Sequence, residues 1–290
     1  MADTPRANGC RRVVIDNLPT DRITSRAAPI GISGLLVCLL AFAPGPVNAQ
    51  GMMGHVDLSA PEFIEAELTR EAVEKLLAGG GHAPADLTGK RLNGLDLSGL
   101  DFSKAVLRSA RLNKANLKGS VLAGAVLDQA WMISADLRGA NLKGASLFQT
   151  QLKSAKLDGA DLSGARIAAD LSGASLTRAV LRGADISADM RNQSMGLMRG
   201  VLRSADLEGA DFTDANLARA DLEFASLRGA VLTRANFTGA QLGGADLTGA
   251  EISGARFEDA DVDSALLVKL QGETEAAFLS VRNLGAAIRQ

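Results

Sequence analysis

The stretch Ala135-Asp136-Leu137-Arg138-Gly139-Ala140-Asn141-Leu142-Lys143-Gly144 is one five-residue phrase written twice. The phrase returns as Ala205-Asp206-Leu207-Glu208-Gly209 and as Ala245-Asp246-Leu247-Thr248-Gly249. Thirty-five centres lie between Ala85 and Leu267, each Leu, Ile, Met, Val or Phe. With the centre called i, Ala stands at i−2 in twenty-nine copies and Asp or Asn at i−1 in sixteen. A pattern held that long belongs to the path of the backbone.

A period of five fits neither regular element. On an α-helix five residues advance roughly 140°, so the centres wind around the cylinder and form no stripe. On a straight strand an odd period sends successive centres to opposite faces. Both conflicts vanish if the chain turns a corner once per repeat. Residues i−2 and i then point inward and i−1 points out. Positions i+1 and i+2 form the corner, and the Gly, Ser, Thr, Lys and Arg found there suit a turn facing water. The product is an all-β solenoid whose coils stack through backbone hydrogen bonds. The small residue at i−2 follows from volume, because a second large side chain per side would overpack the interior. Lys90, Leu95 and Leu100 break that rule, so the first coils are expected to be irregular or widened. Ser120 and Thr150 are milder departures.

These residues resemble the pentapeptide-repeat family, whose phrase is A-[D/N]-L-x-x, over roughly 85–270. The resemblance implies a right-handed quadrilateral parallel β-helix with four repeats per coil. Thirty-five repeats then make about nine coils, a rod of ~43 Å at ~4.8 Å per layer. The resemblance also brings a functional alternative. Some family members mimic duplex DNA and act on a topoisomerase such as DNA gyrase. That task needs an acidic rod, whereas this repeat region holds twenty-two charges of each sign. Residues 85–168 carry twelve Lys/Arg against seven Asp/Glu, and residues 169–270 carry ten against fifteen. The first coils are therefore expected to be basic, with Lys104, Arg108, Arg111, Lys114 and Lys118 repelling a DNA-binding saddle. A net charge of −2 does not point to nucleic acid as a partner. The opposed halves leave end-to-end or lateral self-association open, beside simple drift in solvated corners.

The flanks read differently. Residues 1–49 look like a targeting segment. Arg6, Arg11, Arg12, Arg22 and Arg26 precede an apolar run from Ile30 to Phe42, and Val47-Asn48-Ala49 offers a small-x-small cleavage site before Gln50. The run is short of the ~20 residues that span a bilayer. The expectation is a cleaved signal peptide with no stable membrane span afterwards, hence a periplasmic or secreted protein of a Gram-negative-type bacterium. The alternative is a membrane anchor formed by the uncleaved segment. Cys10 and Cys38 both fall within it, so the mature chain would have no thiol chemistry.

Residues 50–84 read as a linker and an N-terminal capping helix. Leu68, Ala72, Val73, Leu76 and Leu77 form its stripe, Thr69 its N-cap, and Gly79-Gly80-Gly81 its stop. Residues 271–290 read as a C-terminal capping helix with Ala277, Val281, Leu284 and Ile288 on one face. Caps are needed because open solenoid ends expose unpaired strand edges. A homodimer through the C-terminal helix is the alternative role.

The register slips from Ile167 to Leu171, a gap of four, and from Ile186 to Leu202, a gap of sixteen. Counted as repeats, the two errors cancel and the sides realign. Residues 187–199 then form a bulge. Its Met190, Arg191, Met195, Met198 and Arg199 are candidate partner-binding residues, since loops on rigid scaffolds often carry binding; a tolerated insertion is the alternative. Three methionines also fit copper(I), but Met as gap filler is far commoner. Trp131 stands at an outward i−1 position where Asp or Asn belongs, Phe148 stands at i+1, and Phe224 at i+2. Trp131 and Phe148 are expected to flank one corner a layer apart and complete the candidate site; packing against each other or under a loop is the alternative. On that reading Trp131→Asp restores the consensus and leaves folding unchanged.

Nothing in the sequence assembles a nucleophile, base and orienting group. His55 and His82 lie outside the repeats. Asp259 and Asp261 lack a full oxygen cage for calcium. The expectation is therefore a non-enzymatic protein with no metal and no cofactor, acting on an unknown protein partner. A weaker option is a domain associated with a catalytic subunit on a separate chain.

Overall fold

The computed structural model describes residues 57–79, 83–189, 198–272 and 278–289. Residues 1–49, with the expected signal peptide, lie outside them. So do Met190, Arg191 and Met195.

The repeats form a four-sided parallel β-solenoid. Each side contributes one bridged residue, the i−1 position, and the bridges run as four ladders. The first side reads Asp86, Val106, Val126, Ser146, Arg166, Asp185, Asn216, Asn236, Arg256. The second reads Arg91, Arg111, Trp131, Gln151, Asp170, Val201, Asp221, Gln241, Asp261, Arg282. The third starts at Asp96 and the fourth at Asp101. The bridges stay isolated because a corner follows every three residues. At the regular corners the i+3 N–H donates to the central carbonyl, as Ala140 does to Leu137 at 2.9 Å. The residue before it adopts positive φ, the geometry of a type II turn. Gly takes most of these places, yet Lys104, Gln129 and Phe224 adopt it too, at φ 59–60. Leu and Ala from all four sides fill the interior and are essentially inaccessible.

The Asp or Asn at i−1 has a specific task. Its carboxylate or amide oxygen accepts the N–H two residues on, as Asp86 does from Thr88 (2.9 Å), Asp101 from Ser103 (2.8 Å) and Asn141 from Lys143 (3.1 Å). This local cap satisfies a corner donor the ladder does not use. The hydroxyl and N–H of Thr88, Ser98 and Ser103 hold Asp86, Asp96 and Asp101 below the ordinary carboxylate range. The Arg138 guanidinium, with Lys118, holds Asp136 at about 2. Carboxylates lowered on folding stabilise the fold above the unfolded value near 4, and lose that contribution as the pH falls toward the folded value. Thermal melts should therefore hold a plateau from neutral pH down to about pH 4 and fall between about 4 and 2. A melting temperature that stays flat to pH 2 would show that the corner caps contribute nothing.

The first coils are regular. Side-one and side-two bridges begin at Asp86 and Arg91 with the ordinary spacing of twenty residues. The large Leu95 and Leu100 at i−2 fit because the first coil has a helix outside it. That helix is α2 (Arg70–Gly79), whose Val73 is buried in the cluster that includes Leu87, Leu92 and Leu97. Thr69 Oγ1 accepts the Ala72 N–H at 3.3 Å, and Arg70 donates to the carbonyls of Asp96 and Ser98. Leu76 points outward, 42% exposed. Ser120 and Thr150 bury their hydroxyls by donating to the carbonyls of Leu117 and Leu127, each at 2.8 Å.

The C-terminal helix expected over 271–290 is absent from the described residues 278–289. They continue the solenoid as a partial coil, with Arg282 bridged to Asp261 and Ile288 to Leu266. Asn283 turns a corner at φ 60, which an α-helix cannot contain, and a short 3-10 turn follows at Leu284–Ala286. The open edge explains the outcome, because donors such as Asp259 and Leu267 find the carbonyls of Ser280 and Ile288 there. Phe278 extends a stack with Phe257 and Phe237 at centroid distances of 5.2 and 5.0 Å, and the Arg289 guanidinium lies over its ring.

The realignment expected across the two gaps is also overturned. Ile167 and Ile186 lie next to side-one rungs, and Leu171 and Leu202 next to side-two rungs. Both gaps thus fall at one corner, between sides one and two, in successive coils. The first shortens that corner by a residue and the second replaces it with a long excursion. Counting repeats failed because Ile186 and Leu202 stand on neighbouring sides, so the gap of sixteen spans one corner and not three repeats.

Candidate functional site

The anomalies gather along the sides and corners next to that excursion. Its two roots are pinned. Asp189 donates its N–H to Met198 (2.8 Å), and Gly200 donates to Ile186 (3.0 Å). Arg166 holds the Asp189 carboxylate at 2.7 Å and also lies over the Phe148 ring at 5.2 Å. The polar run Ser109–Gln129–Gln149 climbs the same corner, and Gln149 Nε2 ends it by donating to Met198 Sδ at 3.1 Å. Arg199 donates to Asp221 Oδ2 (3.1 Å) and Gln241 Oε1 (3.2 Å). Asp221 is only 2% exposed and is also held by Arg203. A buried carboxylate needs such partners, so Arg199 has a clear internal role. Met198 and Arg199 are thus anchors of the excursion's base.

Trp131 and Phe148 do flank one corner a layer apart, but the ring packed on Trp131 is that of Phe63. The centroids are 4.8 Å apart with planes at 56°, and the Arg111 guanidinium lies 5.0 Å from the Phe63 centroid. Phe63 belongs to α1 (Pro61–Ile64) and is 8% exposed. The fold therefore does account for Trp131, and Trp131→Asp would remove the floor under α1.

Two asparagines fix the segment that carries Phe63. Asn93 and Asn113 occupy the corner after side two in successive coils and are buried. The amide oxygen of Asn93 accepts the Asn113 N–H, and that of Asn113 accepts the Ile133 N–H, each at 3.0 Å. Their amide nitrogens face outward. Asn93 donates to the carbonyls of Glu62 and Glu65, and Asn113 to that of Phe63, at 3.0–3.2 Å. Ala66 pairs with Leu92 in an antiparallel bridge, and Glu67 meets Lys90 (3.4 Å) and Arg91 (3.3 Å). Burial alone would raise the Glu67 pKa, but the Arg91 N–H and the Lys90 ammonium outweigh it and lower it.

Charge explains where this segment lies. The second side and its following corner carry Arg91, Arg111, Lys114 and Lys153 in the first four coils with no acid among them. Residues 57–67 bring Asp57, Glu62, Glu65 and Glu67. Of these acids Glu67 meets the cations of the rod directly, at Lys90 and Arg91. Sequence reasoning missed this site. Its one available signal was Asn at i+1 twice, twenty residues apart, one coil below a Trp on the same side.

At the far end Phe224 is 64% exposed, and its ring lies over Gly244. A shallow cleft of about 280 Å³ beside it is lined by Glu223, Gln241, Asp261 and Asp263. Glu223 pairs with Arg203, and Asp261 lies near Arg282. Among the described residues no group of three His, Cys, Asp or Glu is placed to hold a metal ion, and no helix is long and apolar enough to cross a membrane.

The family model for pentapeptide repeats matches in overlapping copies over 85–188 and 201–267, more than half of the chain. The break between them coincides with the excursion. Among solved structures, the chain is 31% identical to HetL, a pentapeptide repeat protein involved in heterocyst differentiation regulation from the cyanobacterium Nostoc. That match covers 77% of this chain and 93% of HetL, with a TM-score of 0.45. QnrB1, a plasmid-mediated fluoroquinolone resistance protein, is 18% identical over 66% of this chain and 90% of its own, with a TM-score of 0.47. A pentapeptide repeat protein of the Arabidopsis thaliana thylakoid lumen is 27% identical over 58% of this chain and 69% of its own, with a TM-score of 0.17. No curated protein matches the chain. The repeat phrase, the four ladders and the family match together place the chain in the pentapeptide-repeat family.

Proposed function

We propose that this protein is an exported, non-enzymatic pentapeptide-repeat solenoid that serves as a rigid protein-interaction or structural scaffold in the bacterial envelope, periplasmic or secreted. The observation that carries the scaffold reading is how the polar side chains are used. Carboxylates and amides at i−1 cap corners, and cations pair across layers, as Lys118 does with Asp136 and Lys143 with Asp161. That chemistry builds a stiff rod with a patterned surface. The interleaving of signs also argues against a topoisomerase-directed DNA mimic, which needs a continuous negative surface. Export rests on the arginine-rich leader, the short apolar run and Val47-Asn48-Ala49.

A C-terminally tagged protein should fractionate with the envelope or medium, and its N-terminal sequence should begin near Gln50. Recovery of the uncleaved chain from the cytoplasm would sink the export reading. Recovery of the uncleaved chain in the membrane would select the anchored alternative.

A further inference from the structure

Residues 57–67 sit on the first coils as a ligand sits in a groove. The contacts are of three complementary kinds. Asn93 and Asn113 grip the main-chain carbonyls of the α1 turn and of Glu65 just beyond it, which any segment able to make that turn offers. Trp131 and Arg111, adjacent rungs of the second side, hold one aromatic ring through a tilted ring contact and a cation. Lys90 and Arg91 take a carboxylate four residues beyond that ring. A buried aromatic anchor ringed by polar contacts is the usual anatomy of a binding hot spot. The groove belongs to the solenoid, because the Asn oxygens complete corner N–H groups of the coils themselves. Only the outward amide nitrogens serve the segment. The segment in turn has a single antiparallel bridge to the rod, and Leu58 and Ile64 stay exposed on it, at 45% and 53%.

We propose that this groove is a peptide-binding site for an acidic segment bearing one phenylalanine, and that residues 57–67 are its resident, exchangeable occupant. The ligand class follows from the lining. Main-chain carbonyls meet amide donors, one Phe meets Trp131 and Arg111, and a carboxylate three to five residues C-terminal to the Phe meets Lys90 and Arg91. A partner segment of that chemistry displaces the chain's own copy, and the rod is thereby joined to the partner. This inference rests on the scaffold reading and gives it a site.

Trp131 is the chain's only tryptophan, so its fluorescence reports the occupant directly. The probe is a synthetic, labelled peptide of residues 57–67, added to the full-length protein. The tethered copy competes at an effective concentration on the order of millimolar, so the wild type should bind the peptide weakly. Phe63→Ala should move the Trp131 emission to longer wavelength, and the peptide should move it back. The same peptide with Ala for Phe should bind at least about tenfold more weakly. Glu67→Lys, which keeps the aromatic pocket intact, should raise peptide binding above that of the wild type. Circular dichroism establishes that each variant keeps the solenoid. If a folded variant of either kind binds the peptide no better than the wild type, or if Trp131 emission ignores Phe63→Ala, the groove is a fixed structural seam and the proposal is wrong. Either result leaves the envelope reading standing, because fractionation and N-terminal sequencing test that separately.

Discussion

Leu142→Asp is expected to abolish the folded state at ambient temperature, while Asn141→Asp next to it leaves the melting temperature within a few degrees of the wild type. Leu142 is fully buried on the fourth side, in line with Leu122 below and Leu162 above. Removing a buried Leu side chain costs about 2–5 kcal/mol. An unpaired carboxylate left in that stack adds several more, and the side chain has no water to reach. The sum approaches the whole stability of an ordinary domain. Asn141 lies one residue away on the outer face. Its oxygen accepts the Lys143 N–H, a task an Asp oxygen performs equally, and Lys143 already pairs with Asp161. The added charge lies one layer from Asp161 and one corner step from Lys143, so its effects largely offset. Urea or thermal melts of the two variants check this. Similar losses from both would mean that inward and outward positions had been exchanged, and the register described above would be wrong.

The reading of the core was possible because a period of five ties the chemistry of each residue to its place on the coil. Leu at i and Ala at i−2 carry their burial in their identity. The Asp or Asn at i−1 was legible as outward but not as a corner cap, since polarity alone does not reveal which donor is satisfied. The excursion was found as a break in the right stretch, yet the number of sides between its ends was misjudged. Arithmetic on repeats took the gap of sixteen for three sides, whereas Ile186 and Leu202 lie on neighbouring ones. Residues 278–289 show a different limit. Val281, Leu284 and Ile288 have helical spacing, but the edge of the last coil offers backbone partners, and those decided the outcome. The groove was the least legible part. Phe63 meets Trp131 across sixty-eight residues of sequence, and Asn113 reaches the Phe63 carbonyl across a separation of 50. No local pattern reports a contact of that range. Trp131 therefore looked like a residue without a structural reason when its reason lay in a segment read as linker.

Gly200→Ala is the second substitution from which a large loss is expected, and Gly243→Ala is its control. Among the thirty-five i−2 positions Gly200 holds the only glycine, at the point where the excursion rejoins the wall. Positive φ is not the cause. The chain there comes in so close that its N–H donates to the Ile186 carbonyl at 3.0 Å while its own carbonyl accepts from Asp221 at 3.0 Å. A Cβ would stand 2.8 Å from the Ile186 oxygen and 3.1 Å from the Ile167 oxygen, with the Ile186 side chain closer still. Two of these neighbours are backbone atoms of the ladder and cannot swing aside. Overpacking of this kind costs about 1–3 kcal/mol, and rigid neighbours put Gly200→Ala at or above the upper end. At Gly243 an added Cβ meets nothing nearer than 3.7 Å. There the change should be neutral or stabilise by up to about 1 kcal/mol, through the lower entropy of the unfolded chain. The two variants add the same methyl group to the same fold, so their difference isolates the close approach. Matching melts would mean that the wall yields at the rejoining point. The contacts of Asp189, Met198 and Gly200 would then not fix the rejoining point in one place. A loss confined to Gly200→Ala would make those roots a rigid base beside the corner that carries Phe148 and Gln149.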